Sequence, residues 1–327
     1  MWTLAGATVL VVAGYLAIQI SPWPAALFFR AAMDRGGVAI ARALEKHVPA
    51  GVTAQLNERY DTGDADAFLD VFHPAEAENT DHKLPTVVWV HGGGFISGDK
   101  DQVANYLKIL AAKGFTTVGV NYSLAPGTTY PAPIKQVMVA LAYLEAHATQ
   151  FHIDPSKFFL AGDSAGAQIA AQLANLISTP THAQEVGVAP SIDRRQLRGV
   201  LLHCGVYDPG QFKFEGLSGF FLKTVIWSYF GAKDPSANPR RTQFSVIRSV
   251  SAALPPMFIS VGNGDSLAPQ SRALAETVAR HGVPVDVLFF PDDHSPPLPH
   301  EYQFNLDTEA GQTALARSVG FLAGNSR

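Results

Sequence analysis

Residues 158–178 read FFLAGDSAGAQIAAQLANLIS, and the change of period within this stretch decides the fold. FFLAG (158–162) is apolar at every position, as a strand covered on both faces must be. After it, Ile169, Leu173, Leu176 and Ile177 recur at the spacing of an amphipathic helix. Between strand and helix stands Gly162-Asp163-Ser164-Ala165-Gly166. A G-x-S-x-G string alone recurs by chance, but at a sharp strand-to-helix turn it lifts the serine hydroxyl clear of the backbone. Gly162 and Gly166 leave room for that turn. The helix start also aims free backbone N–H groups toward developing negative charge. These features mark Ser164 as a nucleophile that needs only a base to take its proton.

Working outward, the same rhythm repeats. TVVWVH (86–91), TTVGVN (116–121), GVLLHC (199–204), MFISVG (257–262) and VDVLFF (285–290) are short, nearly continuous apolar runs. Amphipathic stretches lie between them. Val103, Tyr106, Leu107 and Leu110 make one stripe, closed by Gly114, and a last helix spans about 309–323. Strands alternating with helices predict a mostly parallel sheet with helices on both faces. Before it, TAQLNERY (53–60) and AFLDVFHP (67–74) flank Thr62-Gly63-Asp64 and predict an antiparallel hairpin. Residues 178–198 show no strong period and read as a loop or exposed excursion. Residues 205–250 separate two strands by more than a crossover needs. Their aromatic content, with Tyr207, Phe212, Phe214, Phe220, Phe221, Trp227, Tyr229 and Phe230, predicts a cap that is both a satellite core and a pocket wall.

A second chemical signal follows the first parallel strand: His91-Gly92-Gly93-Gly94-Phe95. Consecutive glycines let backbone N–H groups approach a reacting oxygen closely. The expected oxyanion donors are the amides of Gly92, Gly93 and Ala165. A phosphate-binding loop is excluded in detail, since neither GxxxxGK[ST] nor a correctly spaced GxGxxG is present. His91 is expected to order the loop by hydrogen bonding.

In serine sites of this kind the acid and then the base follow the serine along the chain. Asp265, in GNGDSLAPQ just after MFISVG, is the expected acid, with Asp208 the weaker alternative. Asp292 and Asp293 read as turn residues. Two histidines follow the last strand, His294 and His300, in PDDHSPPLPHEYQF. His294 sits at the ordinary reach past the strand. His300 lies nearer the final helix, beyond the stiff Pro296, Pro297 and Pro299, and is the preferred base. There is no HExxH and no CxxC, so no metal is expected, and no cofactor.

Composition excludes other classes. The net charge of -4, with no basic run, gives no footprint for a nucleic-acid partner. The single cysteine, Cys204, rules out a disulfide within the chain and reads as a small core residue. From Met1 to Phe29 no side chain is charged, and residues 3–20, TLAGATVLVVAGYLAIQI, reach the length of a spanning helix. Without a leading Lys or Arg they do not read as a cleaved signal. Arg30, Arg35, Arg42 and Lys46 follow, which predicts a membrane anchor with the body in the cytoplasm. A buried cap helix or an interfacial helix is the competing reading. The expected organisation is an anchor segment (1–25), a helical cap region (26–52) broken at Gly36-Gly37, and a catalytic domain (53–327) with a cap insertion at about 205–250.

HGGGF (91–95), GDSAG (162–166) and Asn121-Tyr122-Ser123-Leu124-Ala125-Pro126 together resemble the hormone-sensitive-lipase-like family of carboxylesterases over residues 84–323. Ser123 stands where the family usually has Arg, Ala167 where it has a glycine-type residue, and HEYQF where it has an HGF-like string. The resemblance implies an α/β-hydrolase fold with an eight-stranded sheet and a helical cap. It also implies hydrolysis of short- to medium-chain acyl esters of small-molecule substrates. A membrane-associated lipase, a peptide hydrolase on the same triad and an inactive hydrolase-like binding protein are the rivals.

Overall fold

The apolar runs assemble into one eight-stranded sheet in the computed structural model, which describes residues 2–212, 214–234, 238 and 240–327. The strands are β1 (Val52–Arg59), β2 (Phe68–Pro74), β3 (Leu84–Val90), β4 (Thr116–Val120), β5 (Ile153–Asp163), β6 (Leu197–His203), β7 (Met257–Val261) and β8 (Val285–Phe289). Their order is β1-β2-β4-β3-β5-β6-β7-β8. β2 runs antiparallel to β1 and β4, giving the expected hairpin, and β3 to β8 pair in parallel.

Alternation along the strands divides the core into two layers. Val88 and Val90 of β3 face one layer, with α4 (Ala132–Ala146), α5 (Ser164–Ser178) and α9 (Ala268–Arg280). Val87 and Trp89 face the other, with α3 (Lys100–Ala111) and α10 (Glu309–Asn325). Apolar side chains on both faces explain why these strands read as continuous apolar runs. The fold is therefore the expected α/β-hydrolase arrangement.

Two expectations need correction. Residues 178–198 are not all loop, since α6 occupies Pro180–Val186. The helix expected to break at Gly36-Gly37 runs unbroken as α2 (Trp23–Glu45). A glycine in a helix interior costs only about 1 kcal/mol, and packing of α2 on α3 and α7 (Gly216–Phe230) offsets it. The break falls instead at Ser21-Pro22, where the chain turns 95° from the second half of α1 (Trp2–Ile20) into α2. Among the described residues no single helix is long and apolar enough to cross a membrane, although this bent pair passes that test together.

The cap insertion contains α7 and α8 (Arg240–Phe244). Its aromatics divide by role. Tyr229 stacks on Phe95 at 4.0 Å and, with Phe230 and Phe244, forms the satellite core. Phe212 and Phe221 instead line a cavity above the sheet. α2 is tied to the body by Arg30, whose guanidinium donates to the carbonyls of Ile96 and Ala125.

Candidate active site

The C-terminal ends of β3, β5, β6 and β7 converge below the cavity, where open α/β sheets form their sites. At the end of β5, Ser164 holds φ 51°, the left-handed backbone of a sharp strand-to-helix turn. A Cβ on Gly166 would lie 2.0 Å from the Val90 carbonyl oxygen, and one on Gly162 would lie 2.7 Å from it. Only glycine at these positions lets the turn press against β3. That contact sets Ser164 beside the His91–Phe95 loop.

Asp265, Ser164 and His300 come together from three separate loops. His300 Nδ1 lies 2.7 Å from Asp265 Oδ2, and His300 Nε2 lies 3.0 Å from Ser164 Oγ. Asp265 is buried, and its second oxygen accepts the Leu267 N–H at 2.8 Å, which fixes the carboxylate's orientation. Burial by itself depresses the His300 imidazole. Cys204, the Asp265 hydrogen bond and Glu301 more than reverse this, and hold it well above an ordinary histidine. His294, the competing base, packs on Phe290 and meets neither Ser164 nor Asp265. Asp208 accepts from Gly210 N–H and Ser245 Oγ in a turn of the cap insertion. Asp292 pairs with Arg272 at the surface.

The glycine loop departs from expectation at one position. The Gly92 N–H donates to Asp163 Oδ2 at 2.9 Å, so it is already committed and is not a free oxyanion donor. Asp163 Oδ1 accepts from Trp89 Nε1 at 2.7 Å, anchoring the loop to the strand beneath it. The amides of Gly93 and Gly94 have no acceptor among the described residues and line the cavity with Ala165, so the free amides of the loop are those of Gly93 and Gly94. Gly93, at φ 106°, has no room for a Cβ, which would meet the Ser97 carbonyl oxygen at 2.1 Å. His91 orders the loop as expected: Nδ1 meets the Gly92 carbonyl at 2.8 Å, and the ring stacks on Tyr122.

Two residues missed in the sequence reading stand at the site. Cys204, just past the end of β6 with φ 45°, places its thiol against His300, and burial pushes that thiol up while His300 pulls it back. Glu301, at φ 59°, brings Oε1 within 3.7 Å of His300 Nε2. Burial and then Glu301 push the Asp163 carboxyl well above the ordinary range. Ser123, which stands where the resembled family has Arg, donates instead to Asp66 at 2.6 Å and accepts from Gln136. Among the described residues, Cys204, Asp265 and His300 bring metal-ligating atoms within 4.8 Å of one another. Two of those three, Asp265 and His300, are already paired with each other.

The cavity above Ser164 measures about 890 Å³. Its walls are Met33, Gly36 and Ile40 from α2, Phe221, Leu222 and Val225 from α7, and Leu267 and Phe304 from the body. An apolar chamber ending at a serine, a histidine and free backbone amides can bind a neutral acyl compound and stabilise a tetrahedral oxyanion.

A serine on a strand-to-helix elbow, on this sheet and beneath a helical cap, defines an α/β hydrolase. The chain belongs to the α/β-hydrolase fold family, whose model matches residues 87–295, in the branch that its motifs resembled. It is 28% identical over 218 residues to the acetyl esterases of Salmonella paratyphi B and Salmonella agona. Those alignments cover 63% of this chain and 63% of each relative, so less than two thirds of the relatives' length is matched. Esterase B of Lactobacillus rhamnosis, in complex with a tributyrin phosphonate inhibitor, superposes with a TM-score of 0.78 at 23% identity, over 93% of this chain and 96% of that one. The esterase of Pyrobaculum calidifontis gives 0.71 at 20% identity, over 92% and 94%. These structures share the fold.

Proposed function

We propose that this protein is a serine carboxylesterase that hydrolyses short- to medium-chain acyl esters through an acyl-enzyme. The observation that carries this reading is the unbroken contact path from Asp265 through His300 to Ser164, at 2.7 and 3.0 Å. The esterase names of its relatives agree with it.

Ser164 Oγ adds to the ester carbonyl carbon while His300 Nε2 takes its proton. The carbonyl oxygen becomes an oxyanion, received by the amides of Gly93, Gly94 and Ala165. Removal of one such donor typically costs about 2.7–4 kcal/mol of transition-state stabilisation. Asp265 holds the Nδ1–H tautomer and balances the imidazolium. Collapse of the intermediate breaks the bond to the alcohol oxygen, and Nε2 returns its proton to that leaving group. Water then attacks the acyl carbon, passing a proton to Nε2. The second collapse releases the acid, and Nε2 reprotonates Ser164 Oγ. No step needs a cofactor.

The test is an acyl-chain-length series of p-nitrophenyl esters, with a fluorophosphonate probe for the nucleophile. Turnover and labelling of the wild type, both lost in Ser164→Ala, are the expected result. A wild type that neither turns over the esters nor takes the label is a binding protein on this fold. Amide cleavage outpacing ester cleavage would make it a peptidase.

A further inference from the structure

We propose that the protein docks on a phospholipid leaflet through α1, the start of α2 and the start of α7, so that its acyl cavity takes lipophilic esters from the bilayer. This rests on the esterase reading. The apolar surface on this side needs a partner. Leu10, Ile20, Phe28 and Leu217 are 74, 80, 71 and 88% exposed, and Tyr15, Trp23, Leu27 and Phe220 are exposed beside them in the chain. Isolated exposed apolar residues are ordinary, but a contiguous set of this kind marks an interaction site.

The shape of the surface selects a lipid phase over a protein groove. Residues 12–16 of α1 are exposed one after another, so this stretch lacks cover on every side rather than along one stripe. A protein partner covers one face of a helix, whereas acyl chains surround it. No charged side chain stands between Met1 and Phe29. The 95° turn after Ile20 sets α1 and α2 at right angles, so α1 can dip into a leaflet while α2 lies along it. Trp23 at the turn, and Tyr15 farther back along α1, supply exposed aromatic rings of the kind that settle at the headgroup level. The Lys233 ammonium sits there too, against the Gln19 carbonyl and over the Trp227 ring, within reach of lipid phosphates.

The same helices wall the cavity. Phe28 meets Phe29 at 5.6 Å, and Phe29 meets Phe221 of the cavity wall at 5.0 Å. The apolar outer surface is thus continuous, through two ring contacts, with the lining above Ser164. A substrate leaving the leaflet beside Phe28 passes from one apolar medium to another.

Flotation of the full chain with vesicles of phosphatidylcholine and phosphatidylglycerol tests the docking. Two double variants are compared, L16K/I20K and F28E/L217E, with thermal unfolding as the folding control. None of these four residues lines the cavity. The wild type should float, and L16K/I20K should lose roughly tenfold or more of that binding while hydrolysing a soluble butyrate ester unchanged. F28E/L217E should lose turnover of a long-chain ester dissolved in the vesicles, relative to the soluble one. Ser164→Ala should float although inactive, so failure of the esterase reading leaves the docking result standing. A wild type that does not float, or an L16K/I20K variant that floats equally well, overturns docking. So does a self-associated wild type that L16K/I20K turns into monomers without any effect of vesicles. Equal loss on both esters in F28E/L217E overturns the orientation.

Discussion

Glu301 Oε1 lies 3.7 Å from His300 Nε2, the ring nitrogen that faces Ser164. An anion there favours the imidazolium, and it acts with Cys204 and Asp265 to hold His300 above its ordinary value against the opposing effect of burial. Attack requires the neutral imidazole. Turnover should therefore be weak where His300 is protonated and rise as pH passes through its elevated pKa, on the alkaline side of 6.5. Glu301→Gln removes the anion, destabilises the imidazolium and moves this acidic limb to lower pH. The pH profile of kcat/KM on a soluble ester checks it. A limb unmoved in Glu301→Gln would show that Glu301 does not act on His300 through charge.

The two histidines after β8 separate cleanly by substitution. His300→Ala removes the only imidazole in contact with Ser164 Oγ among the described residues and should abolish turnover. Asp265→Asn keeps the shape but favours the wrong tautomer, a change that costs roughly 10⁴-fold in kcat in comparable triads. His294→Ala should retain most activity, because its ring packs on Phe290 outside the relay. Single-turnover rates of the three variants decide the matter, and the reverse ranking of the histidines would sink the assignment.

Asp163 carries a structural load beneath the glycine loop. Its oxygens accept from Trp89 Nε1 and from Gly92 N, both buried. Asp163→Ala strands both donors, at about 1–3 kcal/mol each. The thermal midpoint should fall, and kcat should fall with it as the Gly93 and Gly94 amides lose their support. Trp89→Phe removes only the indole donor and leaves Gly92 held. It should therefore cost kcat less than Asp163→Ala does, and equal losses would deny the loop-anchoring role.

Parts of this site were legible because the information is local. The turn at Ser164 is written in five consecutive residues, and the parallel sheet is written in apolar runs that no solvent-facing strand would tolerate. The donor set was less legible. Whether Gly92 or Gly94 has a free amide depends on Asp163, 71 residues from Gly92 along the chain. The sequence says nothing of Glu301, and of Cys204 only that it belongs to the core, for a related reason. Each holds a positive φ that no motif announces, and each becomes chemical only when separate loops set it against His300. Gly36-Gly37 misled in the other direction. Glycine lowers helix propensity locally, but the contacts that hold α2 together come from α3 and α7.

Gly36 offers a test of what sets the size of the chamber. It lies on α2 in the cavity wall, and a Cβ there would meet nothing within 4 Å. Gly36→Leu should therefore fit without a clash. In the helix interior it should also raise stability by roughly 0.5–1 kcal/mol, since glycine loses the most backbone freedom on folding. The added side chain is expected to narrow the 890 Å³ chamber that Gly36 lines. Short esters should keep their kcat/KM, while longer acyl chains lose theirs and the preferred length shifts downward. Gly37 is the natural contrast, because a Cβ there meets Gln102 Oε1 at 2.1 Å and must first displace that side chain. A chain-length series paired with thermal unfolding reads both effects. If short and long esters decline together in Gly36→Leu, the wall at α2 does not set acyl selectivity and the chain must lie against α7 instead.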